Sequence, residues 1–364
     1  MKRSRVLHLV VAGDIGGAER LLVDLATRAE VTDADHEVAL ITPNRALFTY
    51  FVEAGLTVHD RGPAREDPLS YLVRSLGNAD VAWVTALVQA QRIDVLHTHT
   101  FGTHVLGTRA ARRAKVKQLR TEHHVMHYAD HSTSAFTRWA AARTDRLVAV
   151  SEYVRNTILS TMPALTPRMS VVRNGIDVAH WQPQPRNESE PPFRAAVVCR
   201  LTGWKRVHLA IEAAARAEVE LWIIGDGEER KNLETVAQRA EARVKFCGFQ
   251  KDPRALLAEC DVLLSTAKEE PLGLSVLESL AMGKPIVACA TGGIPEIVQN
   301  EITGFLAEND SVTAIAHVLE RAREKRDQLP GMGAAGRAFV ERECTITRMC
   351  EGYAAVYHSL REAT

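Results

Sequence analysis

Two carboxylates eight residues apart, Glu270 and Glu278, stand in the segment EPLGLSVLE. A carboxylate offers two acceptor oxygens and can take both hydroxyls of a vicinal diol, so such a pair suits a sugar. Leu274, Leu277, Leu280 and Ala281 recur at helical spacing, and Gly283 closes the run. Glu270 then lies in the loop before a helix, and Glu278 lies about 6 Å along it. The backbone N–H groups around Gly273, Leu274 and Ser275 fall at the helix N-terminus, where an anion such as a diphosphate is favoured. Two acids beside a diphosphate would repel it without compensation. Arg200 and Lys205, in CRLTGWKR directly after an apolar run, supply that compensation, Arg as a fork and Lys as a point charge. The GDG at Gly225–Gly227 also follows a strand and lets backbone approach a ligand closely. Taken singly, Glu278 reads as a solvated helix acid and Lys205 as ordinary surface. Arg200 stands out more, because strand C-termini carry ligands in open α/β sheets.

The histidines are unevenly placed: 11 of the 14 precede residue 181. His97 and His99 in DVLHTHT are metal ligands by type, but no third ligand has a convincing spacing, so no metal site is expected. His123, His124, His127 and His131 recur at helical spacings; an active-site loop is expected for His123 and exposed positions for the others. The basic stretch Arg109–Lys117 reads as a solvated helix face, or alternatively as a surface for anionic lipid.

These residues need elements to hold them. Val6–Ala12, Glu37–Thr42, Val95–Thr98, Gln118–Thr121 and Leu147–Val150 read as strands, with a helix at Ala18–Glu30 and helical patterns between the rest. Trp181–Phe193 holds four of the 14 prolines and almost nothing apolar, so it reads as an interdomain linker or surface loop. The alternation then restarts at Ala195–Cys199, Glu220–Ile224, Val244–Cys247, Val262–Ser265 and Pro285–Ala288, and the chain closes on a helix at Thr345–Leu360. Strand–helix alternation of this kind implies parallel sheets covered on both faces. With 364 residues and a usual domain of roughly 150, two such domains are expected.

Composition narrows the class. Lys+Arg and Asp+Glu are each 45, which argues against a general nucleic-acid binder. No apolar run approaches the 18 or more residues of a spanning helix; Val81–Val88 and Leu147–Val150 are core-sized. The start MKRSRVLHLVVAGD reads as a first strand and not as a signal peptide. The six cysteines form no CxxC pair and read as reduced core thiols of a cytoplasmic protein.

In order and spacing, the chain resembles the retaining, GT-B-fold glycosyltransferases of family 4. The resemblance spans nearly the whole sequence. It rests on GGAER at 16–20, TEH at 121–123, VSEYVRN at 150–156 and NGID at 174–177. It continues through CRLTGWK at 199–205, GDG, VKFCGF at 244–249, the Glu-x7-Glu segment and GGIPE at 292–296. The resemblance implies α/β architecture with two Rossmann-like domains facing across a cleft. An N-terminal acceptor domain would span 1–182 plus a returning helix at about 345–364, and a nucleotide-sugar domain would span 183–344. It implies that Glu270 holds hydroxyls of the donor sugar and Glu278 the ribose, with Arg200 and Lys205 on the diphosphate. Phe249 would meet the base, Gly16 and Gly17 would approach the phosphates and acceptor, and His123 would lie near the transferred sugar; His124 has no fixed role. A UDP-sugar is the favoured donor, and the acceptor is a sugar, lipid-linked or small-molecule alcohol. No cofactor or metal is expected. Asp33-Ala34-Asp35 resembles the metal-binding DxD of other glycosyltransferases but reads as a turn. Acceptor contacts are expected after Gly17 and between Gly62 and Ser75. The other classes on such a scaffold are a sugar-nucleotide epimerase, a phosphorylase, for which no pyridoxal-phosphate lysine motif is found, and a noncatalytic sugar-binding homologue.

Overall fold

The computed structural model describes residues 3–13, 15–62, 74, 77–186 and 192–362. Most of the Gly62–Ser75 segment and part of the Trp181–Phe193 stretch lie outside these. The chain divides into two compact units, Met1–Gly175 with Ile346–Thr364, and Ile176–Thr345.

Among the described residues, unit 1 is built on seven strands: β1 (Ser4–Val10), β2 (Ala34–Leu40), β3 (Thr57–Asp60), β4 (Val95–Thr98), β5 (Lys117–Glu122), β6 (Arg146–Ala149) and β7 (Met169–Val171). They pair in the order β3-β2-β1-β4-β5-β6-β7, all parallel. Side chains alternate between the faces of a strand, so each strand serves two different layers. Leu7, Leu9, Ala39, Ile41 and Leu96 face one layer, where Val81, Val84, Val88, Leu106 and Ala110 of the helices Ala79–Ala90 and Phe101–Ala114 cover them. On the other face Val10, Val38 and Leu40 pack with Leu22 and Ala26 of the helix Gly17–Ala26. That second face also carries His8, His36 and His97, since His8 pairs with His97 in register and His36 lies opposite Val6. The helix Ile346–Glu362 closes over it, with Tyr357 Oη 3.0 Å from His97 Nδ1 and Tyr353 Oη 2.8 Å from Thr121 Oγ1.

Unit 2 repeats the architecture with β8 (Arg194–Val198), β9 (Glu220–Ile224), β10 (Val244–Gly248), β11 (Val262–Ser265), β12 (Ile286–Cys289) and β13 (Gly304–Ala307). Their order is β10-β9-β8-β11-β12-β13, again all parallel. One face packs Val197, Leu221, Val262, Val287 and Phe305 against apolar residues of the helices Val207–Arg216 and Val312–Glu324. The helix Leu274–Ala281 packs against β11, β12 and the helix Leu329–Glu343.

Some elements differ from expectation. Asp33 is in the left-handed region at φ 48°, and Ala34 and Asp35 open β2 instead of forming a turn. The first helix stops at Ala26, and a separate short helix covers Ala29–Thr32. The edge strands β3, β7 and β13 have no counterpart in the sequence reading. Among the described residues no helix is long and apolar enough to cross a membrane, and all six cysteines are free thiols, four of them buried.

Candidate active site

In unit 2 the singled-out residues gather at the C-terminal ends of the strands, the edge where open α/β sheets bind ligands. Arg200 and Lys205 follow β8, Gly225 follows β9, Phe249 follows β10, and Glu270 to Glu278 follow β11. Gly225 N–H donates to the Gly248 carbonyl at 2.9 Å, which seats the GDG turn beside Phe249. Phe249 is 77% exposed, unusual for so large an apolar ring.

The GDG turn explains its glycine locally. Gly225 has φ +145°, and a Cβ there would sit 1.9 Å from the Cys199 carbonyl oxygen. Because the obstacle is backbone, it has no rotamer to retreat into. Gly225→Ala should therefore destabilise the protein by about 2–4 kcal/mol. Urea denaturation would read this as a lower midpoint, and an unchanged midpoint would mean that the two loops are not in contact.

Glu270 is held on both its backbone and its side chain. Gly293 N–H donates to the Glu270 carbonyl at 2.8 Å, and a Cβ on Gly292 would lie 2.3 Å from that same oxygen. The GGIPE turn is thus a clamp on the Glu270 backbone. Its carboxylate, in a residue only 8% exposed, accepts from Lys205 Nζ at 2.6 Å. The Lys205 ammonium also lies 4.0 Å from the centre of the Trp204 ring. Two further bonds tie the loops that carry these groups: Lys268 N–H to the Trp204 carbonyl at 2.9 Å, and Thr266 Oγ1 to the Lys205 carbonyl at 3.1 Å. The pairing of Lys205 with Glu270 was not visible in the sequence, where they stand 65 positions apart.

Gly273, at φ +93°, starts the helix Leu274–Ala281 and supplies no side-chain cap. The first N–H groups of any helix lack intrahelical acceptors, so this end carries positive partial charge. Glu278 lies on the helix and is 7% exposed. Lys205, Glu270, Gly273, Leu274 and Glu278 therefore stand on two tied loops and the helix that follows them.

In unit 1, Gly16 and Gly17 follow β1 and open the helix Gly17–Ala26. The Glu19 carboxylate reaches back to the Gly16 N–H at 2.9 Å, half of a capping box and a role the sequence reading did not give it. His123 follows β5 and is half-buried. Burial, and after it the nearby Arg120 guanidinium, push its imidazole down to about 3, so it is neutral near pH 7.

The loop carrying His123 is anchored by its neighbour. Glu122 is fully buried and accepts from Arg120 at 2.9 Å and from Tyr128 Oη at 2.7 Å, with His127 Nε2 at 3.1 Å. Although burial opposes ionisation, Arg120 and His127 hold the Glu122 carboxyl well below its usual range. His127 is accordingly buried, not exposed as expected, because Glu122 recruits it inward; His124 and His131 are exposed. The sequence offered one signal for Glu122, its place inside TEH. His97 and His99 do find a third histidine, His8, with one nitrogen from each lying within 4.8 Å of the others. The expected lack of a third ligand came from looking along the chain instead of across the sheet. In the basic stretch, Arg109 donates to the Gly77 carbonyl at 2.6 Å and Lys117 lies 3.8 Å from Asp145, while Arg112, Arg113 and Lys115 are exposed.

A family model described as Glycosyltransferase Family 4 matches residues 15–180, and one described as Glycosyl transferases group 1 matches residues 181–339. The chain is 33% identical over 186 residues to the lipopolysaccharide core biosynthesis glycosyltransferase LpsE of Rhizobium meliloti, a match over 46% of this chain and 55% of that one. It is 23% identical over 352 residues to the N-acetyl-alpha-D-glucosaminyl L-malate synthase of Bacillus anthracis, spanning 91% of each. Among solved structures, HepE of Anabaena in complex with UDP-glucose is similar at TM-score 0.82 and 25% identity, over 98% of this chain and 99% of that one. Sucrose-phosphate synthase of Thermosynechococcus elongatus shares the fold at TM-score 0.85 and 18% identity, over all of both chains. With both halves matched and the fold shared end to end, the chain belongs to the GT-B glycosyltransferases of family 4.

Proposed function

We propose that this glycosyltransferase moves a sugar from a UDP-sugar to an acceptor hydroxyl with retention of the anomeric configuration, and that it does so without a metal. One observation carries the reading: the Lys205–Glu270 pair beside the uncapped helix end at Gly273, with Glu278 on the same helix. Lys205, Arg200 and the helix N-terminus offer positive charge to the leaving diphosphate. Glu270 accepts from sugar hydroxyls and Glu278 from the ribose. Phe249 offers an exposed ring to the base. UDP is favoured because the Anabaena relative was solved with UDP-glucose. In the reaction the anomeric C–O bond to the diphosphate breaks and the acceptor oxygen bonds to the same carbon. The acceptor's proton leaves to a phosphate oxygen on the departing side, which accounts for retention without an enzyme nucleophile. His123 and the Gly16–Gly17 turn belong to the acceptor-binding unit in this reading.

The direct test is nucleoside diphosphate release from UDP-, GDP-, ADP- and TDP-sugars, each with and without acceptor alcohols, in EDTA and again with manganese. Release from the UDP-sugar that needs an acceptor and survives EDTA is the expected result. Interconversion of the sugar without release would instead show an epimerase, and binding without turnover a noncatalytic homologue. Rescue by manganese after inhibition by EDTA would overturn the metal-free mechanism.

Glu278→Ala should weaken binding of the free nucleoside diphosphate itself, since the ribose is common to substrate and product. Loss of a charge-assisted hydrogen bond costs about 1.5–3 kcal/mol, or roughly 10- to 150-fold in Kd. Calorimetric titration with UDP would check it, and an unaltered affinity would remove Glu278 from the site.

A further inference from the structure

Unit 1 contains a line of hydrogen bonds that the reaction as described leaves unused. Thr32 Oγ1 lies 2.9 Å from His36 Nε2, and His36 Nδ1 lies 2.9 Å from His8 Nε2. His8 Nδ1 lies 2.9 Å from His99 Nε2, and His99 Nδ1 lies 3.3 Å from His123 Nε2. The line crosses β2, β1 and the ends of β4 and β5, which are neighbours in the sheet. Thr32, His8, His36 and His99 are all buried. A second, separate set walls it in: Tyr357 Oη to His97 Nδ1 at 3.0 Å, His97 Nε2 to Thr121 Oγ1 at 2.8 Å, and Thr121 to Tyr353 Oη at 2.8 Å.

We propose that this line fixes His123 as its Nδ1–H tautomer, so that Thr32, His36, His8 and His99 are positioning residues for a histidine that donates a hydrogen bond from Nδ1. A neutral imidazole has one donor and one acceptor nitrogen. Each of the three interior imidazoles uses both nitrogens on the line, so the orientation of one proton dictates all the others. Only two arrangements leave no clash. In one, Thr32 donates to His36, and each imidazole in turn donates from Nδ1 to the Nε2 of the next. His123 then accepts at Nε2 and must carry its own proton on Nδ1. In the other, every bond runs in reverse, His123 donates from Nε2, and the Thr32 hydroxyl must find another acceptor.

Thr32 selects between them. The alternative acceptors for its hydroxyl are the Arg28 carbonyl at 3.1 Å and the Ala34 carbonyl at 3.5 Å. The Arg28 oxygen already accepts from Val31 N–H and Thr32 N–H, both at 3.0 Å, which occupies its two lone pairs. The Ala34 oxygen is at the limit of a hydrogen bond. His36 Nε2, at 2.9 Å, is the nearest of the three acceptors and is not crowded as the Arg28 oxygen is, so the Thr32 proton goes there and the first arrangement holds. Nδ1 of His123 has no hydrogen-bond partner among the described residues, and as a donor it suits an oxygen of a bound sugar or phosphate. Water favours the opposite tautomer, Nε2–H, so a protein that needs Nδ1–H must impose it. The inference rests on the reading of His123 as a group of the active site. The three histidines His8, His97 and His99 do not require a metal, because all six of their ring nitrogens already have hydrogen-bond partners.

The test uses the full chain labelled with 15N-histidine at pH 7.5, with long-range proton–nitrogen spectra that distinguish the two tautomers and a His123→Ala spectrum for assignment. Nδ1–H at His123 is expected. In Thr32→Val, which keeps the shape and removes the hydroxyl, both tautomers should be populated, and kcat should fall by about twofold or more, following the share of chains in the wrong form. Thr32→Ser should restore both readouts. Nε2–H at His123 in the wild type would overturn the proposal whatever the variants do, as would an unaltered tautomer in folded Thr32→Val. Stoichiometric zinc binding that shifts the His8, His97 and His99 signals would also overturn it. If His123 is Nδ1–H but His123→Ala turns over normally, the line stands and the active-site role of His123 fails.

Discussion

Glu270→Ala should lose turnover by about 100-fold or more while binding free nucleoside diphosphate at least as tightly as the wild type. The first half follows from the assigned role. A carboxylate that orients the donor sugar acts on the geometry of transfer, and misplacing the reacting carbon costs far more in kcat than in binding. The second half follows from the structure. Glu270 neutralises Lys205 across 2.6 Å, in a place where both are largely buried. Removing the carboxylate leaves the ammonium without that partner next to the position assigned to the diphosphate. An anion there then meets more positive charge than before, so affinity for UDP should hold or rise. The contrast with Glu278→Ala is diagnostic, because that change should weaken UDP and this one should not. Measuring UDP affinity and kcat on one preparation, with a melting curve to exclude misfolding, settles both halves. Near-normal turnover would remove Glu270 from the sugar site. An equal loss of UDP affinity would place it on the nucleotide instead.

The separation of these two acids was legible in the sequence because it depends on local geometry alone. Eight residues of helix-compatible spacing put one carboxylate before the helix and one along it, and no tertiary information is needed. The Lys205–Glu270 pair was not legible, since it exists only because β8 and β11 are neighbours in a sheet whose order is not the chain order. The histidine line shows the same limit more sharply. HTHT places its two histidines on alternate positions, so their same-face placement within a strand was there to be read, while LHLV and DHE each hold a single histidine. What brings His36, His8 and His99 together is the order β2-β1-β4, and nothing in the local pattern encodes that order. The strands that the sequence did not mark are three to four residues long and lie at sheet edges. In β3 the burial pattern runs exposed, half-buried, half-buried, exposed, so the apolar alternation that announces a strand is absent. Asp33-Ala34-Asp35 misled for the opposite reason. Its polarity suggested a turn, but Asp35 is the second residue of β2 with its side chain outward, 3.7 Å from Arg3.

Acid should unfold this protein early, with stability dropping steeply between pH 6.5 and about 5. Burial drives the imidazoles of His8, His97 and His99 well below the ordinary histidine value, His36 down to about 4 and His104 down to about 3. In the unfolded chain the same groups titrate near 6.5. The folded values lie below the unfolded ones, so as the pH falls the unfolded chain takes up protons first. The contribution is therefore fully present above about 6.5 and is lost through the window from 6.5 down towards 4. Each such imidazole costs about 1.4 kcal/mol per pH unit once the pH is below 6.5. Five together exceed about 5 kcal/mol in the first unit, comparable with the whole stability of an ordinary domain. The buried carboxylate of Glu122 acts elsewhere on the scale. Arg120 and His127 hold it well below its usual range, so its loss belongs to much lower pH and does not blur the histidine window. Urea midpoints at pH 7.5, 6.5 and 5.5 should fall progressively faster. His104 gives an internal control, because it lies off the line and, among the described residues, its ring bonds only Thr144 Oγ1, at 2.8 Å through Nε2, while its Nδ1 has no partner there. His104→Gln keeps a polar group able to bond Thr144 and removes one titrating ring, so the slope of stability against pH below 6.5 should ease by about 1.4 kcal/mol per unit. A stability that stays flat from pH 7.5 to 5.5 would mean that these rings take up protons in the fold as readily as in the unfolded chain, and once they are charged the line from Thr32 to His123 could not hold.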